Sequence, residues 1–223
     1  MVIVIRPASS PPALATLVFL TALSTITLNM FLPSLSKMAE EFNVSYAVMA
    51  LSVSGFLAAT GLVMLIMGPL SDRYGRRPVL LIGVSIFVVA SALCTIATNV
   101  WVFLAFRVLQ GAIVSAWTIA LAIVRDTVEA SQAASRIGYI TMAMAVAPML
   151  SPVLGGFLDE AFGWRSSFAL FTALGLFALL LIWFDLGETN QSPSRTFGEQ
   201  FTAYPEPVSY THLKLPTNTV TWS

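Results

Sequence analysis

The chain has 223 residues, of which 57% are hydrophobic and 10% are charged, whereas an average soluble domain is roughly 25% charged. A soluble fold this apolar would have too little polar surface to face water. The net charge of zero gives no indication of a nucleic-acid partner. The single cysteine, Cys94, rules out a disulfide framework. With His212 as the only histidine, the sequence has no Cys/His cluster to hold a metal.

Long stretches without charge predict membrane-spanning helices. No charged residue occurs between Arg6 and Lys37, for example, or between Arg77 and Arg107. The hydrocarbon core of a bilayer is about 30 Å thick, and a helix of about 20 apolar residues crosses it. The runs are too continuous for the alternating pattern of barrel strands, so we expect an all-α membrane protein. The six predicted spans are residues 13–35, 46–70, 79–98, 101–124, 137–158 and 166–186.

The basic residues between the spans predict the orientation, because cytoplasmic loops carry an excess of lysine and arginine. A cytoplasmic N-terminal segment, residues 1–12, leaves only Lys37 and Arg165 outside. We therefore expect a multi-pass protein of the cell inner (plasma) membrane, surrounded by the lipid bilayer, with both termini in the cytoplasm. The residues expected on the cytoplasmic side are Arg6, Arg73, Arg76, Arg77, Arg125, Arg136 and Arg195.

The chain contains an internal repeat. The segments Gly68 to Arg77 and Gly156 to Arg165 both present glycine, leucine, an acid, an aromatic residue, glycine and arginine in the same order, with a constant offset of 88 residues. The offset carries the first predicted helix onto the fourth, so the unit is three helices and its copies are inverted. Chance recurrence of similar turns at helix ends is the alternative. The two units are residues 13–98 and 101–186.

The most specific motif is the loop between the second and third spans, Gly68-Pro-Leu-Ser-Asp-Arg-Tyr-Gly-Arg-Arg77. Gly75 supplies a tight turn with positive φ, and Asp72 lies at the membrane edge beside three arginines. This segment resembles the signature that members of the major facilitator superfamily carry at the same place. The resemblance implies a cytoplasmic gate that closes against the C-terminal half; a basic topogenic loop with an aspartate cap is the alternative. The candidate gate residues are Gly68, Asp72, Arg73, Gly75, Arg76 and Arg77.

The fourth predicted span contains Arg107, the one charge that lies away from the ends of any predicted span. Burying an arginine in a membrane is costly, so its presence indicates a functional site. At about 100° per residue, Arg107, Gln110, Gly111 and Thr118 share one helix face, which we expect to line a transport cavity. The sequence Arg107-Val-Leu-Gln-Gly111 also resembles a second signature of the superfamily, which implies a role in proton coupling. An arginine that snorkels to the membrane surface is the alternative.

The fifth predicted span carries small residues at regular spacing. They approximate the antiporter signature G-x8-G-x3-G-P-x2-G-G, with Ala147 and Ser151 in place of two glycines. In the superfamily this segment is associated with export, and the resemblance implies the same here. Plain helix packing through a small-residue stripe is the alternative. The candidate residues are Gly138, Ser151, Pro152, Gly155 and Gly156.

The first predicted span ends with Leu28-Asn-Met-Phe-Leu-Pro-Ser-Leu35. This resembles the bicyclomycin/chloramphenicol-resistance group of drug:proton antiporters. Members often have an aspartate where this chain has Asn29, and an amide does not exchange a proton near neutral pH. Thr21 and Thr25 on the same helix are expected to face Arg107 across the cavity.

The polar segment 187–206 resembles the start of a central cytoplasmic linker. Residues 207–223, which lack helical periodicity, resemble a non-native read-through tail; a genuine disordered tail is the alternative. A complete facilitator has twelve spans, so the resemblance implies that the C-terminal six-helix half is missing and that the fragment is inactive without it.

The predicted function is secondary active transport, with proton-coupled efflux of drugs or small hydrophobic metabolites by alternating access. The proton gradient would supply the energy and no cofactor is expected. Facilitator-type uptake of a sugar, amino acid or organic anion is the alternative. A membrane enzyme is disfavoured, because no nucleophile, acid pair or metal cluster lies inside a span.

Overall fold

The structure is a computed structural model that describes residues 12–189. Segments 1–11 and 190–223 lie outside the described residues. The predicted tail 207–223 therefore falls outside them entirely, as do most of the predicted N-terminal segment 1–12 and of the linker 187–206.

Six long apolar helical spans run through the described part of the chain, which confirms the predicted all-α membrane fold. No β-strand occurs within residues 12–189. The spans are Leu14–Glu41, Tyr46–Tyr74, Arg76–Ile96, Val100–Thr127, Ser131–Phe162 and Arg165–Asp185. Their α-helices are α1 Leu14–Asn29, α2 Leu35–Glu41, α3 Tyr46–Tyr74, α4 Arg76–Ile96, α5 Val100–Leu109, α6 Ser115–Thr127, α7 Ala130–Phe162 and α8 Arg165–Asp185.

Two of the six spans are interrupted. The first span leaves the α-helix after Asn29 and continues through a 3₁₀ turn, Leu32–Ser34, into α2. Pro33 explains the break, because proline has no N–H to donate to the Asn29 carbonyl and disfavours helical geometry at the preceding residue. The fourth span tightens to a 3₁₀ segment at Gln110–Val114, which begins three residues after Arg107.

The helices extend beyond the charge-free runs from which they were predicted. The fifth begins at Ala130 rather than at residue 137, so Arg136 lies on the helix. A charge marks where the chain leaves the hydrocarbon and says little about where its backbone hydrogen bonds end.

The two three-helix repeats turn in the same way at opposite ends of the bundle. Gly75, between the second and third spans, has φ 97°, and Gly163, between the fifth and sixth, has φ 81°. These dihedrals favour glycine strongly, so the sequence repeat reflects a shared backbone requirement. We call the two ends of the bundle the Gly75 face and the Gly163 face.

The spans differ in how much of their own surface is buried inside the bundle. The third and sixth spans pack against each other at close range, since a Cβ at Gly175 would lie 2.7 Å from a methyl group of Val88. The second and fifth spans bury only 17% of their most apolar window each. Their uncovered side chains, such as Leu65 and Met149, suit lipid or another apolar helix.

Candidate functional site

The interruption of the first span creates the site. The last hydrogen bond of α1 runs from the Met30 N–H to the Ile26 carbonyl (3.0 Å). The Thr27 carbonyl therefore lies beyond the helical ladder and needs another donor. Arg107 of the fourth span supplies it, because its Nη2 donates to this oxygen at 2.9 Å. The fourth span thus completes the C-terminus of α1.

Arg107 is fully buried. Its side chain is 0% exposed, and its Nη1 donates to Gln110 Oε1 at 2.6 Å. The centre of the guanidinium lies 4.2 Å from the ring centroid of Phe31 and 4.3 Å from that of Phe56. Phe168 lies 6.0 Å away on the same measure. The bundle encloses the group, so the snorkelling alternative is wrong.

The positive charge of Arg107 is offset only in part, and without a carboxylate. Within residues 12–189 Arg107 forms no ion pair. Two other interactions take that role. The open C-terminus of a helix carries partial negative charge that favours a cation, and aromatic faces attract cations most strongly where water is absent. The break in the first span and the surrounding phenylalanines are therefore part of one arrangement.

A hydrogen-bonded chain extends from Arg107 to the third span. Gln110 Nε2 donates to Ser91 Oγ at 2.7 Å, and Ser91 Oγ donates to the Phe87 carbonyl at 2.7 Å. Gln110 accepts from Arg107 with its oxygen and donates to Ser91 with its nitrogen. The chain joins the first, third and fourth spans and so links both repeats.

We expect Ser91→Ala and Gln110→Leu each to lower the midpoint of thermal unfolding by roughly 2–4 °C, as a loss of about 1 kcal/mol does in a chain this size. Together they should lower it by less than the sum of the two single effects, because both substitutions remove the same hydrogen bond between Gln110 and Ser91. The assay follows labelling of Cys94, which is buried, in detergent. Ser85→Ala, at an exposed position of the same helix, is the control. Additive losses would contradict the chain.

The polar side chains of the first span that were predicted to belong to the cavity form hydrogen bonds within their own helix rather than with Arg107. Thr21 Oγ1 donates to the Leu17 carbonyl at 2.9 Å, and Asn29 Nδ2 donates to the Thr25 carbonyl at 2.8 Å. Thr25 Oγ1 likewise donates within its own helix, to the carbonyl of Thr21 at 3.2 Å. The contact with Arg107 comes from the backbone of Thr27, and a role for Thr21 and Thr25 in lining a cavity stays a prediction.

The rest of the predicted cavity face of the fourth span lies partly inside the bundle. Gly111 is buried, and a Cβ there would lie 2.9 Å from Ala59 Cβ on the second span. Thr118 is half-buried and donates to the Ser115 carbonyl at 3.1 Å. A role for either residue in lining a cavity stays a prediction.

The antiporter-like motif of the fifth span contacts the first span at its break after Asn29. A Cβ built on Gly155 would overlap the carbonyl oxygen of Met30, so glycine permits backbone contact between the fifth and first spans. Ser151, one turn earlier, is 1% exposed, and Pro152 is half-buried. A Cβ added at Gly138 or at Gly156 would point into open space, with no atom of another residue within 4 Å. Of the motif's glycines, Gly155 has the tight contact.

We expect Gly155→Ala to lower the unfolding midpoint by several degrees, because its methyl group must displace the backbone at Met30. Gly156→Ala is the matched control. It adds the same methyl group into open space and should leave the midpoint unchanged or raise it, since alanine favours helix over glycine. Equal effects of the two substitutions would show that the close approach at Gly155 does not matter.

The gate-like motif forms a charged cluster at the Gly75 face. Arg76 pairs with Asp72 in its own loop, and its Nε lies 3.1 Å from Asp126 at the end of the fourth span. Arg77 Nη2 donates to the Trp183 carbonyl at 3.1 Å. Both arginines therefore hold the loop to helices of the second repeat.

The side chain of Glu188 binds the backbone of the same loop. Its carboxylate accepts from the N–H of Arg76 at 2.9 Å and from that of Arg77 at 3.3 Å. A Cβ at Gly75 would overlap this carboxylate, which gives Gly75 a second reason to be glycine. The carboxylate thus caps the start of α4, where backbone donors have no helical partner. Gly68 has no atom within 4 Å of its added Cβ position, and Arg73 lies over the ring of Tyr74.

Sequence reasoning missed several residues of these two clusters. Thr27 acts through its backbone and therefore leaves no side-chain signal. Phe31 and Phe56 look like ordinary apolar residues of a span. Ser91 and Asp126 carried a signal, because a small polar residue in an apolar run and an acid at a helix end both call for partners.

A family model described as Major Facilitator Superfamily matches residues 17–222. Multidrug resistance protein MdtL of Escherichia coli O127:H6 (strain E2348/69 / EPEC) is 34% identical over 170 residues, which cover 76% of this chain and 44% of the relative. MdtL of Escherichia fergusonii (strain ATCC 35469) is 34% identical over 164 residues, covering 73% of this chain and 42% of the relative. The chain thus spans less than half the length of these relatives.

Solved transporter structures share the architecture. The human organic anion transporter MFSD10 (TETRAN) superposes with a TM-score of 0.64 at 21% identity, over 82% of this chain and 49% of that chain. The peptide transporter POT in complex with sulfate gives a TM-score of 0.71 at 18% identity, over 87% and 44%. Identities this low establish the fold alone. The family match and the six-span inverted repeat agree, and the chain belongs to the Major Facilitator Superfamily.

Proposed function

We propose that the chain is the N-terminal half of a secondary transporter that exports drugs or small hydrophobic metabolites by alternating access. The observation that carries this is the buried charge network at the break of the first span. A membrane protein that buries an arginine inside its bundle without an acid bears a cost that function explains better than stability. The superfamily consists of membrane transporters rather than enzymes.

Two features favour export over uptake. The relatives with 34% identity are named multidrug resistance proteins, and the fifth span carries the antiporter-like motif that ends in Gly155 and Gly156. The proton gradient is the proposed energy source. Asn29 cannot carry the proton, so coupling would use a carboxylate at the edge of the spans, such as Asp72, or one in the C-terminal half.

The proposed partner is a C-terminal six-helix half. The second and fifth spans leave most of their apolar surface uncovered, which supports a helical partner on both. At the Gly75 face, Asp72 and Arg73 would then meet that partner as the gate, while Arg76 and Arg77 hold the loop to the helices of this half. Without the partner half the substrate pathway is incomplete, and we propose that the fragment alone does not transport.

We propose that the protein lies in the cell inner membrane and that its N-terminus is in the cytoplasm. Among the described residues, the Gly75 face carries more basic residues than the Gly163 face, which has Lys37 and Arg165. This asymmetry supports a cytoplasmic Gly75 face.

A second candidate function is the uptake of an organic anion. The cationic Arg107, which forms no ion pair within residues 12–189, favours it, because an anionic substrate would supply the missing charge if the network opened. A sugar, which carries no charge, lacks that support. Transport measured in vesicles of both orientations, with cationic dyes and organic anions compared, separates export of drugs from uptake of anions.

The direct test of the proposal is the substitution of Arg107 in a full-length transporter that carries these six helices. Arg107→Ala removes two charge-assisted hydrogen bonds of about 1.5–3 kcal/mol each, enough to lower proton-driven efflux at least about tenfold. Arg107→Lys should restore little, because one ammonium cannot reach Gln110 Oε1 and the Thr27 carbonyl with the planar geometry of a guanidinium.

The matched control is Arg125→Ala, which removes an exposed arginine from the same span. It should leave efflux near the unsubstituted level, and all three variants should reach the membrane in equal amounts. Efflux that survives Arg107→Ala would remove Arg107 from the transport mechanism.

A further inference from the structure

Asp159, near the end of the fifth span, is a buried carboxylate. Its side chain is 6% exposed, and it is the one acid among residues 12–189 that is buried. Asp72, by comparison, has a side chain that is 42% exposed. A carboxylate taken out of water needs a cation or a proton, so the groups around Asp159 decide its state.

Lys37 of α2 supplies the cation. Its Nζ lies 2.9 Å from Asp159 Oδ2, while its own side chain is 59% exposed. Within residues 12–189 the carboxylate has no other partner. The other charged residues described at this face are Glu40, Glu41, Glu160 and Arg165. Glu41 and Arg165 pair with each other, and the two remaining acids are exposed. One largely solvated ammonium group thus holds the charge of Asp159.

The inverted repeat indicates that this turn does not need a carboxylate for its structure. The offset of 88 residues places Ser71 where the other turn has Asp159. Ser71 is 1% exposed, so both positions are buried, and Gly75 and Gly163 give both turns a positive φ. A buried ion pair seldom stabilises a fold more than a neutral replacement of similar size. The charge at Asp159 is therefore better explained by function than by stability.

Asp159 also lies close to the break of the first span. It follows Gly155 by four residues, about one helical turn, and a Cβ at Gly155 would overlap the Met30 carbonyl oxygen. The antiporter-like motif, the break and the buried carboxylate are thus adjacent. Acids within the spans of transporters mark the places where protons are bound and released, whereas the amide of Asn29 does not exchange a proton near neutral pH.

We propose that Asp159 is the proton-binding carboxylate of this half, and that a proton and the Lys37 ammonium group compete for it. When the ammonium group turns away into water, the carboxylate takes up one proton from water and becomes a neutral acid. When that proton leaves, the Lys37 ammonium group binds again. With the Gly163 face outward, the proton enters from outside the cell. This inference rests on the proposed proton-coupled export and names its proton site.

The first test measures protonation of Asp159 without substrate, in the 223-residue chain in lipid nanodiscs. Infrared spectroscopy detects the carbonyl band of a neutral carboxylic acid. Lys37→Gln should produce this band at neutral pH, because a buried carboxylate without its cation takes a proton. Adding Asp159→Asn should remove the band, and adding Glu160→Gln, at the exposed neighbour, should leave it. Lys37→Arg keeps the cation and should not produce it. A Lys37→Gln chain without the band would refute the competition.

The second test separates coupling from folding in a full-length transporter that carries these six helices. Asp159→Asn should abolish the acceleration of efflux by an imposed proton gradient and leave substrate exchange without a gradient intact, while Glu160→Gln should leave both intact. Gradient-driven efflux that survives Asp159→Asn, or an equal loss of both activities, would overturn the assignment of Asp159. An unsubstituted transporter without proton-driven efflux would instead overturn the proposed function, which the infrared test does not use.

Discussion

The hydrogen bond from Arg107 to the Thr27 carbonyl joins the interrupted end of the first span to the fourth span. A helix that stops inside a membrane leaves carbonyls that lipid cannot satisfy, and an arginine inside a membrane carries a charge that lipid cannot solvate. The arginine satisfies the Thr27 carbonyl, and that carbonyl together with Gln110 satisfies Nη2 and Nη1 of the arginine, whose Nε has no hydrogen-bond partner within residues 12–189. Gln110 accepts a hydrogen bond from the guanidinium and is itself held by Ser91. The rings of Phe31 and Phe56 pack against the guanidinium and exclude water from it.

The break also brings together residues that are far apart in the sequence. Gly155 of the fifth span lies against the Met30 carbonyl, and Arg107 of the fourth span binds the carbonyl of Thr27 three residues earlier. Both come from the second repeat and both act on the first span. The motifs of the fourth and fifth spans therefore support the same interruption. Beyond it, α2 is held separately, because Lys37 pairs with Asp159 and Glu41 pairs with Arg165.

The architecture could be predicted from the sequence because it depends on regularities that one chain displays. Charge-free runs mark the hydrocarbon, and the repeat from Gly68 to Arg165 marks two inverted units whose glycines share positive φ. The environment of Arg107 could be predicted only in part. Its burial with Gln110 follows from helical spacing, but its acceptor is a backbone atom exposed by the break at Pro33, and that depends on where a helix ends. Thr21 and Thr25 were the natural candidates by side-chain polarity, yet both hydroxyls bond to their own helix.

Arg107 stabilises the interrupted end of α1, and hydrogen–deuterium exchange tests this central claim most directly. Exchange is measured by mass spectrometry on the chain in lipid nanodiscs, with and without Arg107→Ala. We predict faster exchange in peptides that cover residues 27–34, with little change in peptides from the sixth span. Unchanged exchange at residues 27–34, or an equal increase along all six spans, would contradict the claim.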